Sequence, residues 1–112
     1  MAHWVLVTYV RPNTNTAWFT PSADILELAN EFQNTEPKKI EHYEKRESAD
    51  GLKQYYKIAF KDSDTYTEFE NTSKGQTNIT VREDYLNSVG ITYTIDHAGA
   101  SEPVISSGIT GD

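Results

Sequence analysis

Apolar and polar side chains alternate most clearly just after Asp50-Gly51. One side of the stretch carries Leu52, Tyr56, Ile58 and Phe60, and the other carries Lys53, Tyr55, Lys57 and Lys61. This pattern is typical of a strand with one buried face. Asp50-Gly51 favours a two-residue type I′ turn, because Gly adopts positive φ without cost and Asp tolerates it. The stretch from Lys38 to Lys61 is therefore predicted to be a β-hairpin.

The turn fixes the register of this hairpin by placing Ala49 opposite Leu52. The register pairs Tyr43 with Ile58 on the core face, and Glu44 with Lys57 and Arg46 with Tyr55 on the opposite face. The last two pairs are chemically favourable, because one joins opposite charges and the other places a guanidinium beside an aromatic ring. The lysines of the second face are interpreted as a solvated surface rather than a basic binding patch.

Two further elements precede the hairpin. Residues His3 to Val10 are almost continuously apolar, which predicts a central strand. Thr20 followed by Pro21 is typical of a helix start, with Thr as the N-cap. The apolar residues of the predicted helix share one face, namely Ile25, Leu28, Ala29 and Phe32.

After the hairpin the sequence predicts a short helix over Thr65 to Ser73 that stops by Gly75. Thr80 and Glu83 have the spacing of a capping box, so a third helix is predicted from there to Val89. Gly90 fits the left-handed residue after a helix, and residues 91–96 alternate as a last strand.

The order of these elements predicts an α+β protein with the ferredoxin-like βαββαβ fold. In that fold a four-stranded antiparallel sheet carries its helices on one face and leaves the other face open. Residues 1–97 are expected to form a single domain. Residues 98–112 have too few large apolar side chains for a core and are expected to form an extended C-terminal tail.

The ten residues from Arg82 to Ile91, REDYLNSVGI, resemble the passage from helix to last strand in the dimeric α/β-barrel superfamily. Together with the element order, this resemblance implies two ferredoxin-like protomers that press their open sheet faces together. The superfamily includes small monooxygenases and haem-degrading enzymes, but none of their catalytic sets maps onto this chain.

Composition excludes several classes of function. The net charge of −7 would repel phosphate, so neither nucleic acid nor an anionic membrane is an expected partner. The chain has no cysteine, which removes disulfides and thiolate metal sites. Neither a signal peptide nor a transmembrane helix is apparent at the sequence level, so the expected location is the cytoplasm where the protein is made.

Candidate chemistry is sparse in the sequence. The three histidines, His3, His42 and His97, show no metal-ligand spacing, so neither a metal nor a cofactor is expected. If the protein is an enzyme, His42 and Tyr55 on the open face are the candidate catalytic residues. Four tyrosines, Tyr55 on the open face and Tyr43, Tyr56 and Tyr93 on or near the core face, either line a cavity or form ordinary core, and the core interpretation is favoured.

The favoured function is that of a non-enzymatic structural or assembly protein, of a kind found in phages and associated with virions, that self-associates or docks into a larger complex. A monomer does not explain an apolar open face, nor a tail that has too few apolar residues to form a core of its own. Association with a partner explains both. The expected interface residues are Trp4, Leu6, Val10, Tyr55, Val104, Ile105 and Ile109. The alternative is a small dimeric α/β-barrel enzyme of the monooxygenase type, or a small-ligand-binding protein.

Overall fold

A computed structural model describes residues 2–105 and the backbone of residues 109–110. Its elements are β1 (His3–Val10), α1 (Ala23–Gln33), β2 (Ile40–Ser48), β3 (Lys53–Phe60), α2 (Ser63–Asn71), α3 (Ser73–Val89), β4 (Thr92–Gly99) and β5 (Ile109–Thr110). The strands form one antiparallel sheet in the order β4-β1-β3-β2-β5. The predicted ferredoxin-like fold is therefore confirmed, with β1 and β3 central. None of the helices described is both long and apolar enough to cross a bilayer.

The hairpin register is confirmed, but the predicted turn type is wrong. Tyr43 lies opposite Ile58 and Glu44 opposite Lys57, as the alternation requires. Among the described residues positive φ occurs only at glycines, including Gly51 at 74°, so Asp50 does not adopt the conformation that a type I′ turn needs. Instead, the Gly51 amide donates to the Ser48 carbonyl at 3.0 Å, and Gly51 follows that turn in the left-handed region.

Helix α1 begins two residues later than the sequence predicts. Ser22 is the N-cap, and its hydroxyl accepts a hydrogen bond from the amide of Ile25 at 3.3 Å. Thr20 and Pro21 precede the helix rather than starting it. The predicted apolar face is confirmed, because Ile25, Leu28, Ala29 and Phe32 are all buried.

Helix α3 is a full 17 residues long, and its predicted start at Thr80 is wrong. Thr72 caps the helix by accepting from the Gly75 amide at 2.9 Å. Gly75 lies inside the first turn, where a Cβ would come within 2.4 Å of the Phe69 carbonyl oxygen, so this glycine permits close packing of α3 on α2 and does not end a helix. The Thr80 hydroxyl donates to the Gln76 carbonyl within the helix. The end at Gly90, with φ of 77°, is as predicted.

The two faces of the sheet differ in what covers them. The helices pack on the face that carries Val5, Val7 and Tyr9 of β1, and this layer forms the main core. The face turned away from the helices, called the open face below, carries Trp4, Leu6 and Val10 of β1, with Tyr55, Lys57 and Ala59 of β3. This face therefore carries apolar side chains from β1, as the sequence predicts, together with the charged Lys57.

The segment after β4 crosses the open face of its own chain. Lys57 Nζ lies 2.6 Å from a carboxylate oxygen of Glu102 and donates to the Pro103 carbonyl at 3.3 Å. Lys57 is thereby only 8% exposed, so its interpretation as a solvated residue is wrong. Ile105 is half-buried in this segment, whereas Val104 is 87% exposed.

The sheet gains a fifth strand that the sequence did not predict. Backbone pairing joins β5 to β2, with Ser48 opposite Ile109 and Glu47 opposite Thr110. The tail thus adds to its own sheet edge, where the sequence predicted contact with a partner. The side chain of Ile109, one of the predicted interface residues, lies outside the described part of the chain.

Candidate functional site

A cavity of about 120 Å³ lies between the helix-covered face of the sheet and helices α1, α2 and α3. Most of its wall is apolar, with side chains such as Val7, Phe19, Ile25, Phe69 and Leu86. An apolar cavity of about 150 Å³ in a protein core accommodates benzene, so this space has the scale of one small ring. Small-molecule sites are commonly apolar pockets with a few polar groups that orient the ligand.

Helix α3 supplies two polar side chains to this wall, Asn78 and Arg82. They stand one turn apart, so both project from the same face of the helix as Leu86. Asn78 Oδ1 and Arg82 Nε are buried without a hydrogen-bond partner in the described structure. A buried polar atom left unpaired costs about 1–3 kcal/mol, so a ligand that forms hydrogen bonds to these two atoms would gain affinity from them.

The Arg82 guanidinium is held by aromatic and acidic neighbours. Its central carbon lies 5.3 Å from the centre of the Tyr93 ring, and one terminal nitrogen lies 3.8 Å from a Glu83 carboxylate oxygen. The Tyr93 hydroxyl hydrogen-bonds to the same carboxylate, and this bond raises the pKa of Tyr93. The Arg82 side chain is 15% exposed, so its charge acts in a weakly screened environment.

Glu70 of α2 adds a carboxyl group to the same cavity. Burial raises the pKa of Glu70, and the charge of Arg82 offsets part of that effect. Burial, together with the Glu70 carboxylate, raises the pKa of Tyr66 to about 12, so this phenol is neutral at physiological pH. A carboxyl group with a raised pKa inside a cavity is a candidate general base.

Tyrosines form one side of the cavity. The Tyr56 ring contacts those of Tyr9 and Tyr43, with ring centres 5.9 Å and 6.1 Å away, respectively. Burial raises the pKa of all three phenols, which are therefore neutral. Tyr43, Tyr56 and Tyr93 all pack against the main core, as the favoured interpretation expects. Tyr43 and Tyr56 also line the cavity, while Tyr93 lies beside it against Tyr9.

The two catalytic candidates from the sequence, His42 and Tyr55, lie on the open face and not in the cavity. His42 is exposed, and its Nε2 lies 2.9 Å from Glu44 Oε1. Tyr55 is buried, and it lies opposite Arg46 while His42 lies opposite Ala59. Four residues along a strand span about 13 Å, so these two side chains do not form one site.

Arg82, Asn78 and Glu70 were not singled out by the sequence reasoning. The available signal was the spacing of Asn78, Arg82 and Leu86, which puts two polar groups on the buried stripe of a helix. That signal was lost because the helix was predicted to begin at Thr80, which leaves Asn78 outside it.

Neither a family model nor a curated protein matches this chain significantly. Solved structures do match. A Bacteroides thetaiotaomicron protein of unknown function, described as a possible oxidoreductase, superposes with a TM-score of 0.56 at 11% identity, over 88% of this chain and 96% of its own. A Deinococcus radiodurans protein, provisionally described as an antibiotic biosynthesis monooxygenase, gives 0.52 at 12% identity, over 95% of this chain and 100% of its own.

The shared fold is ferredoxin-like. At this level of identity the likeness concerns the fold alone, and it extends over nearly the whole of each chain. The comparisons give no support to a phage origin or a virion component.

Proposed function

We propose that this protein is a small monooxygenase-like enzyme that binds a compact cyclic substrate in the cavity between its sheet and its helices. The observation that carries the proposal is the pair of unpaired polar atoms, Arg82 Nε and Asn78 Oδ1, in a wall that is otherwise mostly apolar. The descriptions of the two structural neighbours as an oxidoreductase and a monooxygenase support the same class of chemistry. They favour the enzymatic alternative over an assembly protein.

The two unpaired atoms define which hydrogen-bonding groups the ligand needs. Arg82 Nε carries a hydrogen and needs an acceptor, whereas Asn78 Oδ1 needs a donor. A ring that bears a hydroxyl beside a carbonyl, or an enol in the same arrangement, presents both. The apolar wall and the neutral tyrosines suit the rest of such a ring.

The charged groups of this site can activate a bound substrate by removing a proton and stabilising the resulting anion. Glu70 in its carboxylate form accepts the hydroxyl or enol proton, and the resulting oxyanion is stabilised by the Arg82 guanidinium. The electron-rich anion is then the species that reacts with dioxygen, the second substrate. The carbon next to the oxyanion-bearing carbon, a CH2 group before enolisation, forms a bond to one oxygen atom of dioxygen. The peroxide takes back the proton held by Glu70, and its O–O bond then breaks with loss of water, which leaves a carbonyl at that carbon. In total CH2 and O2 give C=O and H2O, so the substrate supplies all four electrons.

Tropolone tests the binding step, because it is a single ring with a hydroxyl beside a carbonyl, and tropone is its matched control without the hydroxyl. We expect tropolone to bind saturably, to raise the melting temperature, and to bind at least tenfold more tightly than tropone. Titration calorimetry measures both affinities. Equal affinity for the two rings, or no binding of either, would contradict the proposed site.

Dioxygen uptake tests the enzymatic step. With 1,2-cyclohexanedione, a single ring that has a CH2 beside its carbonyls and whose enol places a hydroxyl beside a carbonyl, we expect the protein to consume oxygen faster than the protein-free solution. We expect no such acceleration with cyclohexanone, which lacks the second oxygen. Saturable tropolone binding without oxygen uptake from 1,2-cyclohexanedione would overturn the oxygenase assignment and indicate a small-ligand-binding protein.

A further inference from the structure

His3 and His97 stand 94 positions apart in the sequence and come together on neighbouring strands. Val5 of β1 lies opposite His97 of β4, and an irregularity in the pairing follows between Val5 and Trp4. The His3 side chain lies beside that of His97 near the end of this pairing. Their rings are inclined at 30° to each other, with centres 5.6 Å apart.

The distance between the facing nitrogens is more informative than the ring stacking. His97 Nδ1 and His3 Nε2 are 3.4 Å apart. This separation is longer than the usual 2.7–3.2 Å of a nitrogen hydrogen bond. Two imidazole nitrogens that bind one tetrahedral zinc ion at about 2.05 Å each are about 3.35 Å apart. The pair is thus long for a mutual hydrogen bond, and its separation matches that of two imidazole ligands on one metal ion.

The surroundings hold the two rings in place and favour a cation. The Tyr66 ring packs against both imidazoles, with centres 5.5 Å from His3 and 5.2 Å from His97. The Glu70 carboxylate interacts electrostatically with His97, and the chain as a whole carries a net charge of −7. Imidazole nitrogen suits Zn²⁺, Ni²⁺ and Cu²⁺.

We propose that His3 and His97 together bind one late first-row divalent metal ion, with Zn²⁺ as the reference ion and water in the remaining coordination positions. No group of three His, Cys, Asp or Glu side chains within the described residues is arranged to hold a metal. The site is therefore open to solvent and exchanges its ion readily. Sequence spacing gave no sign of it, because its two ligands come from opposite ends of the folded region.

The metal site is inferred from the geometry of His3 and His97, which do not line the cavity. The inference is therefore independent of the proposed enzymatic function. The rings that bind the ion pack against Tyr66, which also lines the cavity wall. A bound ion therefore lies next to the cavity without entering it. Failure of the metal test leaves the cavity proposal untouched, and failure of the tropolone test leaves the metal proposal untouched.

Titration calorimetry of Zn²⁺ into the untagged full chain at pH 7.5 tests the proposal. We expect one ion per chain, and we expect the dissociation constant to rise at least tenfold in His3→Gln and in His97→Gln. His42→Gln is the matched control, since His42 is an exposed histidine on the open face, and it is expected to bind as the unmodified chain does.

The increase in melting temperature caused by Zn²⁺ distinguishes metal binding by the two histidines from a merely structural role. Zn²⁺ is expected to raise the melting temperature of the unmodified chain and of His42→Gln, and to leave that of His3→Gln and His97→Gln unchanged. Absence of saturable binding to the unmodified chain would overturn the proposal. So would binding that survives His97→Gln and is lost in His3→Gln, because that result indicates a site that uses His3 and the chain terminus without His97.

Discussion

Replacing Leu86 with Ala is expected to destabilise the protein by about 3–4 kcal/mol. Leu86 is 2% exposed and packs from α3 into the core beneath the sheet. The substitution removes buried methyl groups and enlarges a space that is already partly empty, so the neighbours cannot close around the gap. Urea unfolding followed by circular dichroism gives the change in the free energy of unfolding.

Leu26→Ala is the matched control for this prediction. Leu26 is also a leucine on a helix, but it is 48% exposed at the rim of the cavity. Its truncation is expected to cost under about 1 kcal/mol, since most of the removed surface is already in contact with water. Similar losses of stability in the two variants would show that α3 does not pack on the sheet as described.

Replacing Arg82 with Met is expected to weaken tropolone binding by about 10- to 100-fold. Met keeps much of the volume of the arginine stem and removes both the charge and the Nε hydrogen. Arg82→Lys keeps the positive charge but cannot place a donor at the Nε position, so an intermediate loss of affinity is expected. Titration calorimetry with tropolone measures each variant.

Arg46→Met controls for the loss of a positive charge elsewhere. Arg46 lies on the open face, where its Nε donates to Glu44 at 2.6 Å, and it does not line the cavity. Its tropolone affinity is expected to match that of the unmodified chain. Equal weakening by Arg46→Met and Arg82→Met would indicate a general electrostatic effect and would contradict a specific role for Arg82.

The hairpin could be predicted from the sequence because its register depends on residues close together in the chain. The alternation around Asp50-Gly51 fixes which face each side chain occupies, and a different turn type leaves that register unchanged. The predicted start of α3 at Thr80 was wrong because the true start depends on how two helices pack. Gly75 is tolerated inside the helix because α3 packs closely on α2, a contact that local sequence patterns do not show.

Most of the candidate site could not be predicted from the sequence. Tyr43 and Tyr56 could be placed on the helix-covered face by strand period alone, so their contribution to a cavity was foreseeable. The unpaired atoms of Arg82 and Asn78, and the burial that raises the pKa of Glu70, depend on how closely α2 and α3 approach the sheet. The approach of His3 to His97 likewise requires β4 to return beside β1.

The central claim is that ligands enter the cavity between the sheet and the helices, and methyl NMR spectra of the Ile-, Leu- and Val-labelled chain with tropolone test it most directly. The account predicts that the methyl signals of Ile25 and Leu86, which line the cavity, shift saturably with added tropolone. The signals of Leu6 and Val104, on the open face and its covering tail, are predicted to stay in place. Shifts at Leu6 and Val104 without shifts at Ile25 and Leu86 would contradict the claim.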